Sequence, residues 1–316
     1  VSGACGRLPQ VVRGGRPRMA LELERFAVVD VSTWTVLAGE PGGKRSKVWL
    51  RDPDGREWLR KAALEKPSRP SEPAVEVTAL RLARASGLPA PVSQGCTWME
   101  EGKLRYGSIV ESFVAGGRKL QEGRELLGGF HLGYDPEFKP GHSLRLVKPA
   151  LKCHERKTKS TLRPAFMDML IFDGWIGNGD RHPSNWGILQ APDGKVGLAP
   201  LYDVAACLGS ELADDHALLD SKGRTDARLR DYVAACPSGF GDGEKLISLA
   251  QVLATARKWD GWQERASRLL AIFEGLWDGP IWRYFEEVPL AWLSDQRRML
   301  AKELLGHRLA WLRAQL

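Results

Sequence analysis

The sequence predicts an α+β chain in two lobes, a small β-rich lobe followed by a larger, mainly helical one. Three observations lead there. Residues 48–63 and 106–114 are short runs of β-branched, aromatic and alternating residues bounded by turn formers, the pattern of strands. From Lys245 to Leu316 apolar residues recur at spacings of three and four: Leu270, Phe273, Leu276 and Trp277, then Leu300, Leu304, Leu305, Leu309 and Trp311. At 316 residues, 43% hydrophobic and with twelve Trp, the chain can fill the cores of two such parts.

In chain order, a strand is expected from about Phe26. Next comes AGEPGGKRSKVWL, where Gly39, Gly42 and Gly43 allow backbone amides to approach an anion and Lys44, Arg45 and Lys47 add charge. The spacing matches neither a Walker motif nor G-x-G-x-x-G, and an ordinary basic turn reads equally well. Val48–Arg51 and Arg56–Ala63 form a hairpin turned at Asp52-Pro53-Asp54-Gly55. Alternation puts Leu59, Lys61 and Ala63 on one face. A lysine between apolar neighbours there calls for an anion, unless the strand is an edge with a solvated lysine. Ser71 is placed to cap the next helix, Pro73 fits its first turn and Gly87 ends it. Val75, Ala79 and Leu82 form the buried stripe of that helix, with Glu76 beside it. Tyr106–Val114 is the next strand. Residues 118–163 carry little periodic signal, and the basic string KPALKCHERKTK reads first as a solvated loop, with contact to nucleic acid or to an acidic protein substrate as the alternatives.

The stretch from Phe166 to Asp203 holds the chemistry. Phe166–Ile176 is apolar almost all round, as in a buried helix, and Gly177 suits a left-handed stop. Asp180 follows, with Asn185 five positions on. Trp186–Gln190 and Val196–Leu201 read as strands joined by a two-residue turn at Asp193-Gly194, and Asp203 lies just beyond. Phosphoryl transfer needs a carboxylate near the attacking hydroxyl and oxygen ligands for Mg²⁺. Asp180 and Asn185 have the D-x-x-x-x-N spacing of a kinase catalytic loop, and the hairpin returns Asp203 to the same place. Asp180 is therefore the candidate base, and Asn185 and Asp203 the candidate metal ligands. The alternative is that Asp180 and Asn185 merely close a turn.

Bulk properties narrow the class. A net charge of +7 and a pI near 9.2 favour polyanionic ligands such as ATP and leave nucleic acid open, though a dispersed basic surface reads as well. Cys5, Cys96, Cys153, Cys207 and Cys236 are scattered without a C-x-x-C pair, which argues against zinc and fits a reducing compartment. No apolar run approaches a transmembrane span, so a soluble, cytoplasmic protein is expected, with no membrane partner. Residues 1–18 are expected to be disordered, and Met19 to lie nearer the translation start. The expected division is residues 19–115 for the first lobe and 116–316 for the second.

The strings GNGDRHPSNWGIL and LAPLYD resemble the catalytic and metal segments of the HipA-like serine/threonine protein kinases, a bacterial family that includes toxins of toxin-antitoxin pairs. DRHPSN is also similar to the D-R-H-x-x-N loop of phosphoinositide kinases. The resemblance implies a bilobal protein-kinase-like fold with ATP and Mg²⁺ in the cleft. It implies that Asp180 acts on the substrate hydroxyl, that Asn185 and Asp203 hold Mg²⁺, and that His182 shapes the loop or touches phosphate. The family's G-T-K-x-K-F-W is approximated by Gly43 to Trp49, with Lys44 in place of Thr and Ser46 where relatives carry a hydroxyl open to autophosphorylation. The ATP lysine of W-L-x-K corresponds to Lys61, and the helix glutamate that pairs with it to Glu76. Glu111, Ser112, Phe113 and Val114 fall where the hinge backbone meets adenine. The segment after Asp203 looks like the mobile, substrate-facing part, with Ala206-Cys207 in place of a Ser pair and Ser210, Ser221 and Thr225 as possible phosphosites. Full-length HipA proteins carry an extra N-terminal subdomain that this chain lacks, so a small antitoxin-like partner encoded nearby is expected beside the protein substrate. Two other functions stay open: a small-molecule or phosphoinositide kinase, and a non-catalytic module binding nucleic acid.

Overall fold

The structure is a computed structural model that describes residues 25–40, 46–63 and 71–315. The expected disorder of 1–18, the start at Met19 and the site residues Gly42, Gly43 and Lys44 lie outside the described residues. The first part is a six-stranded sheet in the order β1-β5-β6-β4-β3-β2. Its strands are β1 (Val28–Asp30), β2 (Thr35–Glu40), β3 (Lys47–Arg51), β4 (Glu57–Ala62), β5 (Ser93–Glu100) and β6 (Lys103–Glu111). Only β1 and β5 run parallel. The β3–β4 hairpin is the expected one, with Gly55 at φ 85° in its turn. β6 starts and ends three residues earlier than the alternation predicted, because its register is set by β5, which has no strong period of its own.

Between β4 and β5 lies α1 (Glu72–Ala85), with Pro73 in its first turn and Gly87 at φ 73° just past its end. Ser71 occupies the cap position, but its side chain makes no capping bond because the residue is in helical geometry. Burial extends over every residue from Glu72 to Ala83 rather than along one stripe. The helix is wedged between the sheet and the second part, which leaves Glu76 in the interior with 0% exposure.

The second part begins with β7 (Lys119–Glu122), α2 (Gly123–Phe130), α3 (Leu144–Thr158) and α4 (Arg163–Ile176), followed by β8 (Gly187–Gln190) and β9 (Val196–Leu198). The region around 148–159 is therefore helical rather than a loop. Leu144, Val147, Ala150 and Leu151 anchor α3 while its other faces are polar, so its lysines masked an amphipathic period. Phe166 to Ile176 are all buried in α4, and Gly177 ends the helix at φ 69°. The β8–β9 connection runs over residues 191–195, with three residues, 192–194, inside its closing bond rather than the two expected. Gly194 N–H donates to Ala191 O at 2.9 Å and Ala191 N–H to Lys195 O at 2.8 Å, so Pro192 opens a turn that Gly194 closes at φ 81°. β9 stops at Leu198, and 199–201 continue without strand pairing.

Beyond come α5 (Asp226–Ala234), β10 (Pro237–Gly241), β11 (Leu246–Ser248), α6 (Leu249–Ala256), α7 (Trp262–Trp277), α8 (Arg283–Glu286) and α9 (Asp295–Gln315). One apolar core runs from α1 through α4 to α7 and α9, with the ring of Trp175 stacked on Phe273 at 4.1 Å. A second core, on the outer face of the sheet, gathers Val31, Leu50, Trp58, Cys96, Trp98 and Ile109. The segment expected to be mobile after Asp203 is instead docked on α9. Leu212, Leu218 and Leu219 pack with Leu300 and Leu304, and Arg297 reaches Leu212 O and Asp214 at 2.8 and 2.7 Å. Ser210 is buried with its hydroxyl donating to Ala205 O, so it is no exposed phosphosite. Thr225 caps α5 by accepting from Arg228 N–H, whereas Ser221 is exposed.

Candidate active site

A row of residues crosses the sheet in register: Lys47 on β3, Lys61 on β4, Ser108 on β6 and Gly95 on β5. Pairing fixes them on one face, the face that meets α1 and the second part. Lys61, 4% exposed, forms a close ion pair with Glu76 Oε1, while Ser108 Oγ donates to Glu76 Oε2 at 3.0 Å. From the other side Lys61 Nζ reaches Asp203 Oδ1 at 3.0 Å, and Lys47 Nζ lies 3.6 Å from Asp203 Oδ2. Burial disfavours the ammonium form of Lys61, but Glu76 and Asp203 outweigh it and hold its pKa above the ordinary lysine range. The chain Glu76–Lys61–Asp203 therefore joins helix, strand and the second part around one cation.

Asp203 sits at φ 52°, a left-handed conformation that few non-glycine residues adopt. Its neighbours hold it there. Tyr202 O accepts from Arg181 Nη1 at 3.2 Å, and Tyr202 OH donates to Ser184 O at 3.0 Å. Arg181 is the hub of the loop. It is 1% exposed, donates through Nε and Nη2 to the two Asp173 oxygens at 2.8 and 2.7 Å, and reaches Asn185 O with the same Nη1 that reaches Tyr202 O. One guanidinium thus fastens the 178–185 loop, the Asp203 approach and helix α4. Burial opposes its charge, and Asp173 more than offsets that, raising its pKa.

Within the loop, Asn185 Nδ2 and His182 N–H both donate to Asp180 O at 2.8 Å. The Asn185 amide nitrogen is thereby engaged, so its oxygen is the atom that a metal would meet. Asp180 is exposed, and its N–H donates to Asn178 Oδ1 at 3.3 Å. His182 Nδ1 accepts from Ser184 N–H at 3.2 Å, so its visible role is in loop shape. Behind the loop, His142 accepts from Trp186 Nε1 at 3.0 Å, and its Nδ1 is 2.7 Å from Gly239 O. A neutral ring with the proton on Nδ1 satisfies both bonds, and burial pushes its pKa down to about 4. The N-terminus of α2 leans on the same loop: Gly123 N–H donates to Trp186 O at 2.8 Å and Arg124 N–H to Pro183 O at 2.9 Å.

At the hinge, Glu111 and Ser112 spend their N–H groups on Val92 O and Glu57 O, both at 2.8 Å. Phe113 O accepts from Arg118 at 3.2 Å, and the Phe113 ring lies 5.3 Å from that of Tyr202. Val114 is half-buried next to it and Ser46 is exposed at the start of β3. A concavity of about 420 Å³ borders the hinge on the outer side, lined by Arg51, Glu57, Glu111 and Ser112 among others. Lys61 and Asp203 are not among the residues that line it.

The donor set fits a nucleotide carrying Mg²⁺. An amide oxygen from Asn185 and a carboxylate from Asp203 are two hard oxygen ligands, and Mg²⁺ takes its other positions from phosphates and water. Among the described residues no group of three or more His, Cys, Asp or Glu forms a self-sufficient metal cage. Lys61 and Lys47 supply positive charge beside that position.

Sequence reasoning gave Lys47 only a share of the charge beside the glycine loop, not a place against Asp203, and left out Asp173, Arg181, Ser108, Tyr202 and His142. A signal for Lys47 was present: once Arg51 pairs with Glu57 across the turn, the register puts Lys47 opposite Lys61. Asp173 within an apolar helix, eight residues before Arg181, is another.

A sequence profile described as the HipA-like C-terminal domain matches residues 39–259. The serine/threonine-protein kinase CtkA of Helicobacter pylori is 44% identical over 75 residues, an alignment covering 22% of this chain and 23% of that protein. The match thus spans less than a quarter of the curated relative. The crystal structure of the Helicobacter pylori proinflammatory kinase CtkA superposes with a TM-score of 0.68 at 17% identity, covering 90% of this chain and 94% of that one. HipA of Shewanella oneidensis, solved with HipB and operator DNA, gives 0.47 at 14% identity over 97% of this chain and 67% of that one. The α+β fold is that of the CtkA kinase, sheet-rich first and helical after. By the span of the profile match, the chain belongs to the HipA-like C-terminal domain family.

Proposed function

We propose that this chain is an ATP- and Mg²⁺-dependent kinase that transfers the γ-phosphoryl group to a serine or threonine hydroxyl of a protein. The observation that carries the reading is the chain Glu76–Lys61–Asp203, buried at Glu76 and Lys61 and half-buried at Asp203, which spans the two parts beside the loop that presents Asp180. Mg²⁺·ATP supplies the phosphoryl group and spreads its charge over metal and lysine. Asn185 and Asp203 would hold the metal, and Lys61, fixed by Glu76 and Ser108, would face the phosphates. The exposed Asp180 carboxylate would orient the acceptor hydroxyl and take its proton, a contribution of positioning and charge rather than covalent chemistry. Phe113 and Val114 would border the adenine. A small antitoxin-like partner and a cytoplasmic location belong to the same proposal, resting on family membership; among the described residues no helix is long and apolar enough to cross a membrane.

Incubation of the full chain with γ-labelled ATP, Mg²⁺ and a cell extract tests it. Phosphoserine or phosphothreonine on protein, lost on chelation, supports the reading. Label found only on a lipid or metabolite overturns it in favour of a small-molecule kinase.

A further inference from the structure

The basic excess of this protein is not spread over its surface. Residues 139–163 hold eight Lys and Arg against one acid, Glu155, a net of +7 that equals the +7 of the whole chain. The rest of the chain is balanced. The local charge is organised further by α3, where Arg145, Lys148, Lys152 and Arg156 follow at steps of three, four and four, one face of a helix, with Lys159 just past its end. Val147, Ala150 and Leu151 occupy the opposite, buried face. Arg145, Lys152, Arg156 and Lys159 are exposed, and Lys148 is half-buried over the Trp259 ring at 5.5 Å. Glu155 does not neutralise the stripe, because its carboxylate is taken by Arg163 Nε at 2.7 Å and by the N–H groups of Leu162 and Arg163. Cations four apart repel along a helix, so the arrangement costs stability that an interspersed surface would not.

The stripe is anchored beside the catalytic loop. His142, two residues before α3, is bonded to Trp186, and α2 leans on the loop through Gly123 and Arg124. Between α2 and α3 the chain exposes apolar side chains: Phe130 at 41%, Leu132 at 102% and Phe138 at 48%. Over 15 residues α3 extends about 22 Å away from this point. A ligand matched to it would be anionic along its length and apolar near the end that meets the loop.

We propose that the exposed face of α3, with the 130–138 segment at its head, is the docking surface for an acidic segment of the protein substrate, holding it while the acceptor hydroxyl enters beside Asp180. The inference rests on the kinase reading for its purpose but not for its test. Protein is favoured over nucleic acid because the head of the surface exposes Leu132 together with Phe130 and Phe138, an apolar patch that suits an apolar side chain of a peptide, while the stripe itself offers no amide side chain to read bases.

The test is equilibrium binding without ATP, by fluorescence anisotropy on the full chain. The probes are a labelled octaglutamate peptide ending in Leu-Ser-Leu and a labelled octadeoxythymidylate. The peptide is expected to bind the wild type in low salt and to bind Lys152→Glu/Arg156→Glu/Lys159→Glu about tenfold more weakly or less. The corresponding triple Gln variant is expected to fall between them while melting as the wild type does, which separates lost charge from misfolding. Equal peptide binding by wild type and Glu variant overturns the proposal, as does tighter binding of the oligonucleotide than of the peptide, which would make the stripe a nucleic-acid surface. Peptide binding by a protein that never transfers phosphate would sink the kinase reading and leave the surface standing; transfer without peptide binding would do the reverse.

Discussion

Arg81 on α1 and Glu287, just past α8, meet with Nη2 2.8 Å from Oε2, and the same Glu287 oxygen accepts from Phe26 N–H at 2.8 Å. The helix that carries Glu76 is thus tied to the C-terminal part by a pair whose arginine is 3% exposed. Trp292 adds a second tie. Its ring stacks on Tyr106 at 5.3 Å and fills the space that the absent side chain of Gly95 leaves beside Ser108, so that a Cβ on Gly95 would collide with it. The Lys61–Glu76 pair is braced from the C-terminal part through both contacts.

Removing one side of a buried pair strands its partner, whereas an exposed pair is screened by water. Glu287→Ala is therefore expected to lower stability by ~2 kcal/mol. Lys195→Ala breaks the pair with Asp193 from a side chain that is 86% exposed, and is expected to change stability by less than ~0.5 kcal/mol. Urea midpoints of the two variants check the contrast, and equal midpoints would remove the bracing role of Glu287.

His142 gives a pH dependence with a definite sign. Its folded pKa of about 4 lies below the ordinary 6.5, so between those values the unfolded chain binds the extra proton. Its contribution is complete above about pH 6.5 and is lost as pH falls toward 4, for a total of ~3 kcal/mol. His142→Gln keeps a donor and an acceptor without titrating. The difference in urea midpoint between wild type and this variant is expected to shrink on acidification, and a pH-independent difference would contradict the buried neutral ring.

Gly177 and Gly55 both have positive φ, at 69° and 85°, yet they differ in surroundings. A Cβ on Gly177 would press into the Arg308 guanidinium, while one on Gly55 meets nothing within 4 Å. Gly55→Ala is expected to cost ~1 kcal/mol from backbone strain alone, and Gly177→Ala ~3 kcal/mol or more because Arg308 must also shift. Thermal melts of the two variants decide it.

What could be read in the sequence was whatever lay within one hairpin or one helix. The helix before Gly177, the 52–55 turn and the order Asp180, Asn185, Asp203 needed only local rules. The interior position of Glu76 was not legible, because α1 is packed between the sheet, where Glu76 meets Lys61 and Ser108, and α8, which lies far along the chain. The helix under the basic string 148–159 was missed for a different reason: its cations cover one full face, so the apolar period of Val147, Ala150 and Leu151 was thin. Asp203's left-handed backbone left no local signature, since it depends on carbonyls brought together by folding, and the Arg181 hub showed only as an acid, Asp173, within an apolar helix.

The most direct measurement is phosphoryl transfer by Asp180→Asn beside the wild type, with nucleotide affinity measured on both. Asp180 is exposed and outside the Lys61–Glu76–Asp203 chain, so the substitution is expected to leave ATP binding within about twofold and to cut transfer by about 10²–10⁴-fold. Transfer at the wild-type rate, with Mg²⁺·ATP bound equally, would contradict the assignment of Asp180 and the reaction built on it.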